Sequence, residues 1–286
     1  MSSHPLSRQI ALGGAAVALL AAAGCGGGGD ATDADGVSAA NAGATTRPAG
    51  TQQLPQGSDP VDLDPATFTT EIDNRYWPMK PGTRWTYQEV DEEGKTLRVV
   101  VTATSETKKI ANGVTALVVR DTVTEDGQLI EDTFDWYAQD ADGNVWYLGE
   151  DTAEFEDGKV TTRGGSFEAG VDGALPGIIM PADPQPGMAY RQEYYQGEAE
   201  DNGEVLSLEE MAEVPFGQFD DMLLTKDTIT IEPDVLEYKL YAPDVGPVLT
   251  FGVSGGAGRE ELVDLQTVDA QAAKAAGTAP LGQTYP

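Results

Sequence analysis

The stretch that most constrains this chain runs from Gln128 to Glu150 and reads QLIEDTFDWYAQDADGNVWYLGE. Two runs of alternating aromatic and polar residues flank Asp140-Ala141-Asp142-Gly143. Asp-Gly between such runs is the strongest short-range hairpin signal a sequence carries. The hairpin commits the surrounding chain to antiparallel pairing. With Asp142 and Gly143 as a two-residue loop, Asp135 faces Glu150, Trp136 faces Gly149 and Tyr137 faces Leu148.

The same pattern recurs on both sides. Thr83–Val90 alternates with Trp85 and Tyr87 on one face, and Lys95–Ser105 and Val114–Thr124 are rich in β-branched residues. Gly94, Asn112-Gly113 and Asp126-Gly127 supply the turns. A short strand is expected near Lys159–Arg163. Strand patterns resume at 188–198, 204–214, 222–231, 236–242, 248–253 and 260–268. Residues 204–214 (EVLSLEEMAEV) also fit one helical run; strand is the reading adopted. Between these blocks, Gly164–Gly187 is rich in Gly and Pro. A connection this long inside a compact domain is functional or wraps the core. Ile178, Ile179 and Met180 pin it to something apolar. The expected fold is all-β, an antiparallel meander of about 10–12 strands over residues 66–268, closed into a barrel-like or sandwich domain. A tail of residues 269–286 follows, whose Ala-rich 270–279 stretch forms a terminal helix or frays.

The N-terminus reads differently. Arg8 precedes an apolar run, Ile10–Ala23, too short to span a bilayer but suited to a signal peptide. Ala22-Ala23-Gly24-Cys25 then resembles the lipobox of bacterial lipoproteins. In that family the cysteine is diacylated and the preceding peptide removed. The resemblance implies a signal peptide at 1–24, acylation of Cys25 with palmitate-type chains, and a membrane anchor on the extracytoplasmic side. More than one acyl chain meets the requirement for stable anchoring. Residues 25–65 are then a lipidated flexible linker. Gly26–Pro60 holds Val37 and Leu54 as its larger aliphatics, too little apolar surface to fold. Such a tether reaches on the order of 30 Å.

Composition narrows the chemistry. His4 is the single histidine and Cys25 the single cysteine. Removal of 1–24 and acylation of Cys25 leave neither available. Ser-His and Cys-His nucleophilic catalysis then drop out, as do ordinary zinc, copper and haem ligand sets. The expectation is a protein that is not an enzyme. With 17 Lys+Arg against 48 Asp+Glu, the formal net charge is −31. That field repels nucleic acid and anionic headgroups and draws cations.

Two acidic groupings invite a cation. Asp140-x-Asp142-Gly143-Asn144 fails as an EF-hand, because its glycine comes too early and strands flank it. The other end of the hairpin is the better candidate. Asp135 opposite Glu150 sets like charges face to face, which destabilises a sheet unless something compensates. Asp132, Asp135, Glu150 and Asp151 are therefore the candidate hard-cation site, with Ca2+ as the possible cofactor. Carboxylate-pair glycan hydrolysis is also open, with Glu168, Asp172, Glu193 and Asp135 as candidates. Trp136, Tyr137 and Trp146 are candidate ligand-lining aromatics, in competition with a plain role in the sheet core.

Two longer motifs carry a resemblance. YWPMKPGTRWTY occupies residues 76–87, and DWYAQDADGNVWYLGE occupies residues 135–150. Together with the loop around Gly170–Pro184 and residues 241–246, they resemble uncharacterised bacterial envelope lipoproteins across residues 70–265. The resemblance implies a cell-envelope location and a β-rich fold, and carries no activity or site residue. The expected function is a lipid-anchored envelope protein with a non-enzymatic binding or structural role. The alternatives are a carrier of apolar ligands in a barrel cavity and a carboxylate-based glycan hydrolase.

Overall fold

The computed structural model describes residues 54–256 and 258–285. Cys25, the signal peptide and most of the linker lie outside the described residues. After a 3-10 turn at Pro65–Thr67, the chain is almost entirely strand: β1 Phe68–Thr69, β2 Thr83–Val90, β3 Thr96–Lys109, β4 Thr115–Glu125, β5 Gln128–Asp140, β6 Val145–Glu156, β7 Lys159–Thr162 and β8 Phe167–Glu168. It continues through β9 Leu175–Met180, β10 Ala189–Arg191, β11 Glu193–Tyr194, β12 Asp201–Val214, β13 Gly217–Ile229, β14 Leu236–Ala242, β15 Gly246–Ser254 and β16 Arg259–Thr267, ending in helix α1, Ala270–Thr278.

The pairing is antiparallel throughout and almost sequential. The path runs β10-β12-β13-β14-β15-β16-β2-β3-β4-β5-β6-β9-β11. β16 pairs with β2, which joins the last strand to the first long one. The two ends of the path meet in one short stretch, 189–194. Its first half, β10, pairs with β12, and its second half, β11, pairs with β9. The result is a thirteen-strand antiparallel sheet nearly closed into a barrel. Of the two architectures open to the sequence, it is the barrel.

Strand alternation then assigns faces. Trp77 lies 6.1 Å from the Tyr137 ring on β5 and 5.4 Å from the Tyr241 ring on β14. β5 and β14 are far apart along the path, so one residue can touch both only from inside. Trp77 and its neighbour Tyr76 thus plug the barrel. Asn74 holds the plug, accepting the Tyr76 and Trp77 N–H groups and donating to the carbonyls of Gly143 and Pro181.

The opening hairpin forms, with a corrected register. Asp135 does pair with Glu150, but Tyr137 pairs with Tyr147 and Ala138 with Trp146. The loop has three residues, not two: Gly143 N–H donates to the Asp140 carbonyl and takes φ +98°. That is a tight turn followed by a left-handed glycine. The slip of one residue is absorbed where Trp136 lies opposite Leu148 and Gly149. Gly149 takes φ +132°, and a Cβ there would strike the Phe167 carbonyl.

Residues 204–214 are strand, within β12. Register shifts between Val205 and Ser207, Ser207 and Glu210, and Glu210 and Ala212 break its alternation. Repeated bulges explain why its spacing imitates a helix. The loop 164–187 contains β8, which pairs with Gly149 and Glu150, and β9, which pairs with β6. Ile178, Ile179 and Met180 are buried, as their apolar character requires.

The domain takes in more chain at each end than the sequence alone delimits. Leu54 is buried, and the Arg191 N–H donates to the Pro55 carbonyl. The fully buried Arg191 guanidinium donates to the carbonyls of Gly57, Asp59 and Pro176. This clamps an N-terminal strap onto β9. At the other end, Asp269 caps α1 by accepting the Ala272 N–H at 2.8 Å. α1 buries Ala273 and Ala276 against the outer face of β3 and β4. Arg120 on β4 grips Asp132 on β5 at 2.8 Å and 2.5 Å, both side chains fully buried. The same guanidinium donates to the carbonyls of Ala276 and Ala279, at 3.0 Å and 2.8 Å, and to that of Pro280 at 3.2 Å. It also sits between the rings of Phe134 and Tyr285.

Candidate functional site: an acid-lined barrel interior

The inner face of the barrel is unusually acidic. Buried carboxylates stand where alternation turns side chains inward: Glu89 on β2 opposite Glu260 on β16, Asp121 on β4, Asp135 and Glu150 on β5 and β6, Glu193 on β11, and Asp227 opposite Glu237 on β13 and β14. Half-buried Asp201 on β12 adds another. Lys239 is the buried lysine among them; the buried Arg120 and Arg191 are engaged elsewhere. Buried charge is costly unless paired or neutralised.

Two solutions are visible. On the β13–β14 side, the Lys239 ammonium lies 2.9 Å from Asp227 and 3.8 Å from Glu237. Burial works against the Lys239 charge, but these carboxylates outweigh it and raise its pKa. Burial still lifts Glu237 to about 7. On the β5–β6 side no cation is interposed. Tyr147 Oη lies 2.8 Å from Asp135 and 2.7 Å from Glu150. One hydroxyl carries one proton. It points at both carboxylates, and satisfying both at once favours a proton on one of the two acids. Burial pushes Asp135 up to about 7, with the Tyr147 hydrogen bond opposing. Burial, then the charge of Asp135, raises Glu150 well above the usual carboxylate range. The face-to-face pair read from the sequence is therefore real, and the Tyr147 hydroxyl bridges it.

Tyr137 stacks on Tyr147 at 4.9 Å between centroids. Its buried hydroxyl has no hydrogen-bond partner among the described residues. The charges of Asp135, Glu150, Asp121 and Glu193 all bear on it, after burial itself, and raise its pKa. Across the barrel the Tyr190 hydroxyl is likewise buried without a partner, with Asp227 bearing on it. Two donors thus stand unused on an acidic inner wall.

The four proposed metal ligands do not converge. Asp135 and Glu150 face inward. Asp132 and Asp151 face outward, Asp132 bound by Arg120 and Asp151 paired with Arg163 at 2.5 Å. Asp135 lies three positions after Asp132, and strand alternation sends an odd step to the opposite face. Among the described residues no group of three or more His, Cys, Asp or Glu is arranged to hold a metal ion. The aromatic trio is split by the same rule. Tyr137 points in. Trp136 lies on the outer face beneath Lys108, whose Nζ is 3.9 Å from its ring centre. Trp146, also outward, contacts Phe68 and donates to Asp140 at 2.7 Å. Of the four hydrolase candidates, Asp135 and Glu193 both line the inner wall, and the other two stand apart from them. Glu168 is taken by Lys108 at 2.9 Å and the Ala111 N–H, and Asp172 occupies an exposed turn at φ +49°.

Sequence reasoning missed Tyr147 as the bridge, and Asp201, Asp227, Glu237 and Lys239 as interior groups. A signal exists in 236–242, LEYKLYA, where Glu237, Lys239 and Tyr241 share one strand face. Alternation reveals such a face without saying which side is inside.

No protein-family model matches this chain, and no curated protein matches it. A crystal structure of a candidate lipoprotein from Parabacteroides distasonis ATCC 8503 is similar at 12% identity, covering 68% of this chain and 99% of that chain, with a TM-score of 0.37. A likeness that slight carries no argument about role.

Proposed function

We propose that this chain is a lipid-anchored envelope protein with a non-enzymatic binding role, and that its ligand is an organic cation bearing an ammonium group. The observation that carries the ligand class is the inner wall of the barrel, where carboxylates outnumber the buried lysine. Lys239, held by Asp227 and Glu237, is an internal example of the group such a wall accepts. The unused Tyr137 and Tyr190 hydroxyls favour a polar guest over an apolar one, since an apolar cargo would leave every one of these groups unsatisfied. The scattered placement of the acids favours an organic amine over a bare metal ion. The anchor rests on the sequence at Cys25.

In the form described, Asp135, Tyr137, Tyr147 and Glu150 are each at most 5% exposed. On this reading a cationic ligand replaces the proton that burial favours on the Asp135–Glu150 pair, so binding releases it. Calorimetric titration with spermidine, in buffers of different ionisation enthalpy and at matched ionic strength, tests this. Saturable binding with proton release, weakened in a Glu150→Gln variant, is the expected result. Heats that match a NaCl control, or that ignore the substitution, refute the amine reading. Saturation by CaCl2 but not by spermidine moves the ligand class to a metal. For the anchor, a Cys25→Ala chain is expected to lose palmitate labelling and leave the membrane fraction; retained labelling refutes it.

A further inference from the structure

We infer that the junction between β9 and β11 is a proton-operated seam, the place where the barrel opens. Along the strand path β9 and β11 share two residue pairs, Glu193 with Pro176 and Tyr194 with Leu175, whereas β6 with β9, β10 with β12 and β15 with β16 share three each and the long hairpins many more. The rest of the closure is local. Arg191 reaches the Pro176 carbonyl, and Gly177 admits the Gln192 backbone so closely that a Cβ would collide with it.

Acid pairs stand on both sides of this short ladder, each placed where two carboxyls can share a proton. On the β5–β6 side the Tyr147 hydroxyl bridges Asp135 and Glu150. On the β11–β12 side Asp201 is raised by burial, with a hydrogen-bonding interaction with the Glu193 carboxyl opposing the shift. A carboxyl–carboxyl hydrogen bond requires that one partner carry a proton. The two sides sense one another, since Asp201 bears on Glu150, and Glu193 bears on Tyr137 and Tyr147. From β13 and the turn after it, Asp227 and Glu232 add negative charge; from β14, Glu237 adds more and Lys239 opposes it. On β10, the Arg191 guanidinium is committed to carbonyls and the Tyr190 hydroxyl is neutral.

Loss of the shared protons sets like charges on either side of a two-pair ladder. Asp135 and Glu150 themselves lie on the eight-pair β5–β6 ladder, whereas the β9–β11 junction has two pairs to resist such repulsion, so this junction yields first. The seam does not depend on the ligand proposed above, and its test contains none.

Hydrogen exchange read by mass spectrometry decides it, on the full soluble chain with residues 1–25 removed. Peptides covering 174–178 and 189–195 are compared with 97–103, on the β3–β4 ladder, at about pH 6 and about pH 8.5, corrected for intrinsic exchange. The seam peptides are expected to lose protection about tenfold more than the reference peptide. In a Glu193→Gln/Asp201→Asn variant the excess loss is expected to disappear. An equal loss in both regions, or no loss, overturns the seam in the wild-type chain alone, whether or not the variant folds. An excess that persists unchanged in a folded variant overturns the role of these two acids.

Discussion

Replacing Asp135 with Asn should flatten the pH dependence of stability. The carboxyl rises from 3.8 to about 7 on folding because it is buried. The folded state therefore holds a proton that the unfolded chain has released between those values. Stability is greatest below the unfolded pKa and falls as pH climbs through the folded one. From about pH 5 to about pH 8 this group alone removes about 2.5 kcal/mol, obtained by treating it as a single site with those two values. Glu237, raised to about 7 from 4.5, removes a similar amount over the same range. Asn keeps the acceptor facing Tyr147 and cannot ionise. Urea denaturation of both proteins at several pH values from 5 to 8 measures the slope. Wild type should lose the larger amount, and Asp135→Asn should lose about 2.5 kcal/mol less. Because Asp135 and Glu150 titrate as a pair, the difference belongs to the pair as much as to either residue. Stability that rises with pH over this range, or an unchanged slope in the variant, refutes a protonated interior.

Two further substitutions probe the frame around that interior. Arg120→Met strands the buried Asp132 carboxylate and releases the carbonyls at the end of α1; a loss of about 3–5 kcal/mol is expected, with rapid proteolysis within 269–285 as the second readout. Gly149→Ala has no space beside the Phe167 carbonyl and takes a residue with a Cβ to φ +132°, so a loss of at least about 2 kcal/mol is expected in the denaturation midpoint.

Much of the frame was legible because it is written in short-range chemistry. The Asp-Gly turn, the alternation of 83–90 and 114–124, and the glycines between them led to an antiparallel meander. The pairing of Asp135 with Glu150 also followed from the turn, and the bulge at Gly149 is what preserved it despite a longer loop. The error at Trp136 and Tyr137 came from assuming one uninterrupted register. The candidate site was legible in part. Strand alternation alone separates Asp132 and Asp151 from Asp135 and Glu150, and Trp136 and Trp146 from Tyr137. What no local pattern could reveal is that β5, β11, β12 and β14, distant in sequence, turn their acids onto one space. Nor could it show that one tyrosine would stand between two of them. Those facts depend on closure, and closure depends on the six residues 189–194.

The clamp of Arg191 on the N-terminal strap has a mechanical consequence. Any pull on the chain ahead of Leu54 arrives first at the carbonyls of Pro55, Gly57 and Asp59, and passes through Arg191 into β10 and β9. The load is therefore delivered beside the shortest ladder on the strand path. Tension in the N-terminal chain and the strength of that ladder are coupled through Arg191, by its backbone N–H and its guanidinium together, with the Gln56 side chain on the Ala189 carbonyl beside them.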